Sequence, residues 1–123
     1  MILKKQLDYR HDSLADALFI YVVNSTDYEE AIEITPNTYL SLDENYYLVA
    51  IEILDASKVL DVQKFNLKNI KSINLKMCFN NEKIVVDCIL EVPVHNKNLI
   101  KSTNSVIGND LQLPSITADL ATA

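Results

Sequence analysis

The sequence predicts a mainly β (α+β) fold, in which an antiparallel β-sheet of short strands carries one short helix. Short runs rich in Ile, Val, Leu, Tyr and Phe alternate with clusters of Asp, Asn, Ser and Pro, the pattern of strands and turns. Hydrophobic residues make up 49% of the 123 residues and charged residues 23%, a balance typical of a folded chain of single-domain size. We therefore predict one domain over residues 1–123.

The first half of the chain predicts five strands. An opening strand at 2–9 ends at a polar break, and the run 17–23 is apolar almost throughout, which indicates a central strand. After a turn at 24–27, short strands follow at 31–34 and 38–42, separated by Pro36. A turn at 43–45 then leads into the apolar run 46–54, a second central strand.

At the start of the second half, the spacing of apolar residues changes from that of a strand to that of a helix. Asp55 is a residue type that caps helices, and Ala56, Val59 and Leu60 fall at helical spacing, so we predict a short helix at 56–63. Alternating strands at 72–79 and 83–92 around a turn at 80–82 predict a hairpin. Beyond Pro93 polar residues dilute the apolar ones, which predicts a mobile loop at 95–110. The C-terminal tail at 111–123 either packs as an extended segment or frays.

Charge and cysteine content bear on partners and location. The net charge of −6, with Arg10 as the single Arg, argues against binding to nucleic acid. No apolar run approaches the roughly 18–20 residues that span a membrane. The start of the chain lacks the apolar region of a secretory signal, so we expect a cytoplasmic protein with reduced thiols. Cys78 and Cys88 could face each other across the hairpin, and alternation makes Cys78 the less buried of the two.

Carboxylates before the first central strand admit two interpretations. Asp8, Asp12 and Asp16 recur every four residues. On a helical turn they would share a face and could hold a hard cation, whereas in a turn they would accept hydrogen bonds from nearby backbone N–H groups. The His and Cys spacing matches no metal site. We predict no bound metal and no cofactor.

Other candidates for chemistry are isolated along the sequence. His11 and His95 lie in polar breaks, either as exposed loop residues or brought together by the fold. Glu52 is the one carboxylate in an apolar run, either outward-facing or buried as a general acid. The candidate catalytic residues are therefore His11, Asp12, Asp16 and Glu52.

Aromatic residues supply the candidate binding residues. Tyr46 and Tyr47 follow the turn at 43–45 and belong to a set of six Tyr in the chain. They form either an exposed aromatic surface suited to a protein partner or part of the core, with hydroxyls at its rim.

Three segments resemble the prokaryotic family called domain of unknown function 2283. The family typically shows Asp-x-Leu-Tyr-Ile, an Asp-rich turn, and Val-Gly-Ile-Glu-Ile-Leu-x-Ala-Ser, which correspond here to 16–20, 42–45 and 49–57. Ala50 stands where the family usually has Gly. The resemblance covers roughly residues 7–60, and the later hairpin is similar to the longer, archaeal-type members. The family has no established activity, and because its members often accompany small toxin-like proteins, the resemblance implies an antitoxin-like binder.

Two functional hypotheses follow from these residues. The first is a non-catalytic protein-binding or regulatory module, and we favour it. The alternative is a small metal-dependent hydrolase that uses Asp12, Asp16, Glu52 and a histidine, or an antitoxin-like partner of a small toxin. We also predict a homodimer, because short apolar strands in a small chain leave sheet edges to protect.

Overall fold

The computed structural model describes residues 2–3, 6–25 and 30–122, and most of them lie in strands. This confirms the prediction of a mainly β protein. In these ranges the elements follow in the order β1 (Ile2–Leu3), β2 (Gln6–Asp12), β3 (Ala17–Val22), β4 (Glu30–Thr35), β5 (Thr38–Leu42), β6 (Leu48–Ile53), α1 (Ala56–Val59), a 3-10 helix (Lys64–Lys68), β7 (Ser72–Phe79), β8 (Lys83–Val94), β9 (Lys97–Gly108) and β10 (Ile116–Thr122).

The strands form one mixed sheet. Nine lie side by side in the order β4-β5-β6-β3-β2-β10-β7-β8-β9, and β1 pairs with β10 outside this order. The prediction of an antiparallel sheet is wrong in one place, because β10 runs parallel to β1 and β2. No tight turn joins these distant strands, so nothing local imposes an antiparallel pairing on them. The outermost strands β4 and β9 contact each other, so the sheet is nearly barrel-shaped.

The core fills the inside of this curled sheet. Residues alternate along each strand between the inner and outer face, as in β6, where Ile51 and Ile53 are buried and Glu52 lies on the other face. Ala56, Leu60 and Leu67, from α1 and the segment after it, pack into the same core. No helix in the described ranges is long and apolar enough to cross a membrane.

The C-terminal third is more ordered than predicted. Residues 97–108 form β9, so the predicted mobile loop at 95–110 is wrong. His95 (φ 50) and Asn96 (φ 64) both have positive φ, as a two-residue type I′ hairpin turn requires. β9 consequently pairs with β8 from Lys97 to Gly108. The tail takes the extended alternative, since β10 lies between β2 and β7.

The helix and the cysteines also differ in detail from the prediction. The predicted helix at 56–63 ends at Val59, and the chain continues into the 3-10 helix. Cys78 lies opposite Val85, and Cys88 lies opposite Leu75, so the two thiols do not face each other. Cys78 is exposed and Cys88 is buried, and both are free. Burial raises the pKa of the Cys88 thiol to about 12.

Candidate functional site

Asp16 connects the β2–β3 turn to the start of α1. It has φ 52 and is 5% exposed. Its backbone carbonyl accepts the N–H of Ala56 at 2.9 Å. Its carboxylate accepts the backbone N–H of Ser57 at 3.2 Å and the Ser57 hydroxyl at 2.6 Å. Asp55 makes no side-chain cap, so a residue distant in sequence satisfies the first N–H groups of α1.

His11 completes this cluster, which we call the Asp16 clip (His11, Asp16 and Ser57). Its Nε2 lies 2.9 Å from Oδ1 of Asp16, and its side chain is 1% exposed. An ionised carboxylate only accepts hydrogen bonds, so Nε2 carries the hydrogen. The other ring nitrogen, Nδ1, is buried and has no hydrogen-bond partner in the described ranges.

The clip contains the residue types of a hydrolytic triad in a different order. In a triad, His lies between the nucleophile and the carboxylate, so that it can take the hydroxyl proton. Here Asp16 lies in the middle, and the Ser57 hydroxyl donates to the carboxylate. The free nitrogen of His11 is buried away from solvent. The arrangement is suited to holding α1 against the β2–β3 hairpin.

Hydrogen bonding sets the ionisation of Asp16. Burial, the largest single influence, raises the pKa of this carboxyl, whereas the hydrogen bonds from Ser57 and His11 lower it. The lowering influences together exceed the effect of burial, and the pKa of Asp16 lies below its ordinary value of 3.8. The clip therefore holds an ionised carboxylate at neutral pH.

This lowered pKa predicts how stability depends on acid. Because the folded pKa is below the unfolded one, ionised Asp16 stabilises the fold fully above the unfolded value, and this contribution is lost as pH falls through the folded value. We expect the difference in unfolding free energy between wild type and Asp16→Asn to be steady near pH 5 and to shrink below about pH 4. Urea unfolding at several pH values measures it. A difference that stays steady into more acidic solution would contradict the expectation.

The other acidic candidates lie apart from the clip. Asp12 is exposed and accepts the N–H groups of Leu14 at 3.0 Å and Ala15 at 3.2 Å. Of the two interpretations of this carboxylate, the one in which it bonds the backbone of a turn is therefore correct. Asp8 accepts the N–H of Tyr9. Within the described ranges, no three or more His, Cys, Asp or Glu side chains are placed to hold a metal ion. His95 lies exposed in the β8–β9 turn.

The tyrosine candidates lie in and beside the β5–β6 turn. Tyr46 has φ 65 and is 37% exposed, whereas Tyr47 is half-buried and its N–H donates to Oδ1 of Asp43 at 3.0 Å. Tyr9, which the sequence did not single out, has a structural role. Its hydroxyl accepts the N–H of Ile70 at 2.8 Å and lies within hydrogen-bond distance of two carbonyls near the 3-10 helix.

Glu52 lies on the outer face of the sheet, in a concave surface of ≈ 540 Å³. It stands between two aromatic residues, with Phe19 opposite it on β3 and Tyr39 opposite it on β5. Small side chains leave the space between the larger ones. We call this surface the Glu52 groove, lined by Phe19, Ala31, Tyr39, Ser41, Val49, Ala50, Glu52 and Leu54.

The charged side chains in and beside the groove differ in whether they have a partner. The guanidinium of Arg10 lies over the ring of Phe19, 5.2 Å from its centroid. Glu33 lies opposite Tyr39 on the far side from Glu52. Neither Glu33 nor the half-buried Glu52 has a hydrogen bond or ion pair with another residue of the described ranges.

The mixed β-sheet, which carries the buried Asp16 clip and the outer Glu52 groove, defines the class of this protein, a small mainly β domain. The chain belongs to the family described as "Protein of unknown function (DUF2283)", which matches residues 9–57. It is also 30% identical over 106 residues to a Methanosarcina mazei protein described as "Putative hypoxanthine phosphoribosyltransferase", a match that spans 86% of this chain and 85% of that protein. No solved structure matches significantly. The family match contains the whole Asp16 clip and the whole Glu52 groove.

Proposed function

We propose that this protein is a non-catalytic protein-binding module, and that the Glu52 groove receives its partner. The groove itself carries this proposal: it is a concave, largely apolar surface on an outer sheet face, and its carboxylate, Glu52, has no ion pair with any described residue. Exposed apolar concavities of this kind are typical of recognition surfaces. The clip residues that could supply a nucleophile and a base, Ser57 and His11, each bond to Asp16 and not to each other.

An extended segment of a partner protein fits the shape of the groove. Its lining residues come from four adjacent strands, β3, β6, β5 and β4, and from Leu54 directly after β6. Three strand spacings amount to roughly 14 Å, the length of about four extended residues. A toxin-type protein is one partner that this proposal accommodates.

The competing hypotheses make different demands on the molecule. A hydrolase would need His11, Asp12, Asp16 and Glu52 to converge, but Glu52 lies on the outer face of β6 and Asp12 is exposed at the end of β2. The description of the Methanosarcina relative suggests hypoxanthine as a ligand. An enzyme that transfers phosphoribosyl groups must also bind phosphate, commonly through Arg side chains and Gly-rich loops. This chain has one Arg and one Gly. We expect titration calorimetry with hypoxanthine to show no binding. A saturable binding heat would contradict our proposal and favour a nucleobase-binding function.

Blocking the groove tests the proposal. Ala50 is half-buried in the groove, so Ala50→Phe fills it from the outer face while the core stays intact. Ala121 is exposed on β10, and Ala121→Phe is the matched control. We expect tagged wild type and Ala121→Phe to retain the same protein from native cells, and Ala50→Phe to retain it at least about tenfold less well.

Direct binding of the retained protein then completes the experiment. The partner is purified and its dissociation constant is measured against all three proteins, after urea unfolding has shown that both variants are folded. Equal affinity for Ala50→Phe and Ala121→Phe would contradict the groove as the binding surface.

A further inference from the structure

We propose that the Glu52 groove selects a cationic side chain, an Arg or Lys of the partner, and places it over Tyr39 between Glu52 and Glu33. This inference rests on the proposed function and adds the chemistry by which the partner is recognised. Three observations on the outer sheet face support it.

The first observation is the unpaired carboxylate of Glu52. It is half-buried beside Phe19, Val49 and Leu54, and it has no ion pair or hydrogen bond within the described ranges. A carboxylate removed further from water by a bound partner is stable only if the partner supplies a donor. An apolar or acidic segment in this groove would leave Glu52 buried and unpaired, so the carboxylate lowers the affinity for such partners.

The second observation is the order of side chains across the sheet. Pairing of adjacent strands places Arg10, Phe19, Glu52, Tyr39 and Glu33 in one row on the outer face. Tyr39 therefore lies between two carboxylates. A cation above its ring would be close to both acidic side chains, and electrostatic attraction to the ring face would add to the binding.

The third observation is that the same row already holds one cation over an aromatic ring. Arg10 of this chain stacks over Phe19, on one side of Glu52. On the other side of Glu52, no cation of the described ranges stacks over Tyr39. The guanidinium of Arg suits this position better than the ammonium of Lys, because it is planar, stacks on aromatic rings and can donate to two carboxylates. The net charge of −6 would also attract a basic segment.

Short peptides provide the probe for this inference. Acetyl-Leu-Arg-Leu-amide is titrated into the protein while the backbone amide signals of Tyr39 and Ala50 are followed by NMR. Acetyl-Leu-citrulline-Leu-amide is the control, because citrulline has the shape of Arg without its charge. We expect the Arg peptide to bind about tenfold more tightly. Added salt should reduce this ratio, because it screens partly exposed charges.

Variants separate the two proposals. Glu52→Gln is expected to bring the Arg and citrulline affinities close together, and Ala50→Phe is expected to abolish the signal shifts with both peptides. Equal affinities in the wild-type protein, with shifts in the groove, would overturn the cation inference and leave the proposed function standing. The absence of groove shifts with either peptide at low millimolar concentration would overturn both.

Discussion

Replacing Asp16 with Ala is expected to lower the free energy of unfolding by about 3–5 kcal/mol, because it removes the charged acceptor of three hydrogen bonds. The substitution leaves the backbone N–H and hydroxyl of Ser57 without their acceptor, and the Nε2–H of His11 loses its acceptor as well. It also places Ala at φ 52, a conformation that Asp adopts more readily. A domain of this size is stable by about 5–15 kcal/mol, so the loss is a large part of the total. Urea unfolding monitored by circular dichroism measures it.

Two further variants isolate the clip from the turn that carries it. Asp16→Asn tolerates the positive φ and keeps one acceptor oxygen, so we expect a smaller loss than with Ala. Asp12→Ala removes a carboxylate that accepts hydrogen bonds from the same turn, but the donors are exposed and can bond water, so a loss of about 1 kcal/mol or less is expected. If Asp12→Ala and Asp16→Ala were equally destabilising, the clip would have no special part in stability.

Local sequence patterns predicted the strands that tight turns connect. The strands at 38–42 and 72–79 coincide with β5 and β7, because apolar alternation and turn residues act over a few positions. The parallel insertion of β10 depends on pairing between chain ends, and no local pattern encodes it. The β8–β9 turn, by contrast, does have a local signal in the sequence. Asn96 is a residue type that tolerates positive φ, and it lies between two segments rich in strand-forming residues.

The sequence predicted several residues of the site, but it did not predict which of them are in contact. His11, Asp16 and Glu52 were candidates from the sequence, yet nothing in the spacing of residues 16 and 57 indicates that they meet. Asp55 was the local choice for a cap, and tertiary packing supplied Asp16 in its place. The outward position of Glu52 follows from strand alternation. Its aromatic neighbours could only be identified once the pairing of β3, β6 and β5 was known.

Replacing Asn109 with Leu is expected to lower the free energy of unfolding by about 3 kcal/mol, because it leaves several buried polar groups without a hydrogen-bond partner. Asn109 is 7% exposed and follows β9, where it holds the connection to β10. Its amide nitrogen donates to the carbonyls of Asn80 at 2.8 Å and Leu113 at 3.0 Å, and its oxygen accepts the N–H of Leu113 at 2.9 Å. Leu has a similar volume but cannot make any of these three bonds.

The matched control is Asn104→Leu, which makes the same change at an exposed position on β9. Asn104 donates to the carboxylate of Asp87 on the outer face, and that pair is open to water. We expect a loss of about 1 kcal/mol or less for Asn104→Leu, because water can replace its bond. Hydrogen exchange adds a local measurement: Asn109→Leu should accelerate exchange of the amides of β10, since this strand is joined to β9 only through the segment that Asn109 organises. Equal losses for the two variants, with unchanged exchange in β10, would show that the buried amide does not hold this connection in place.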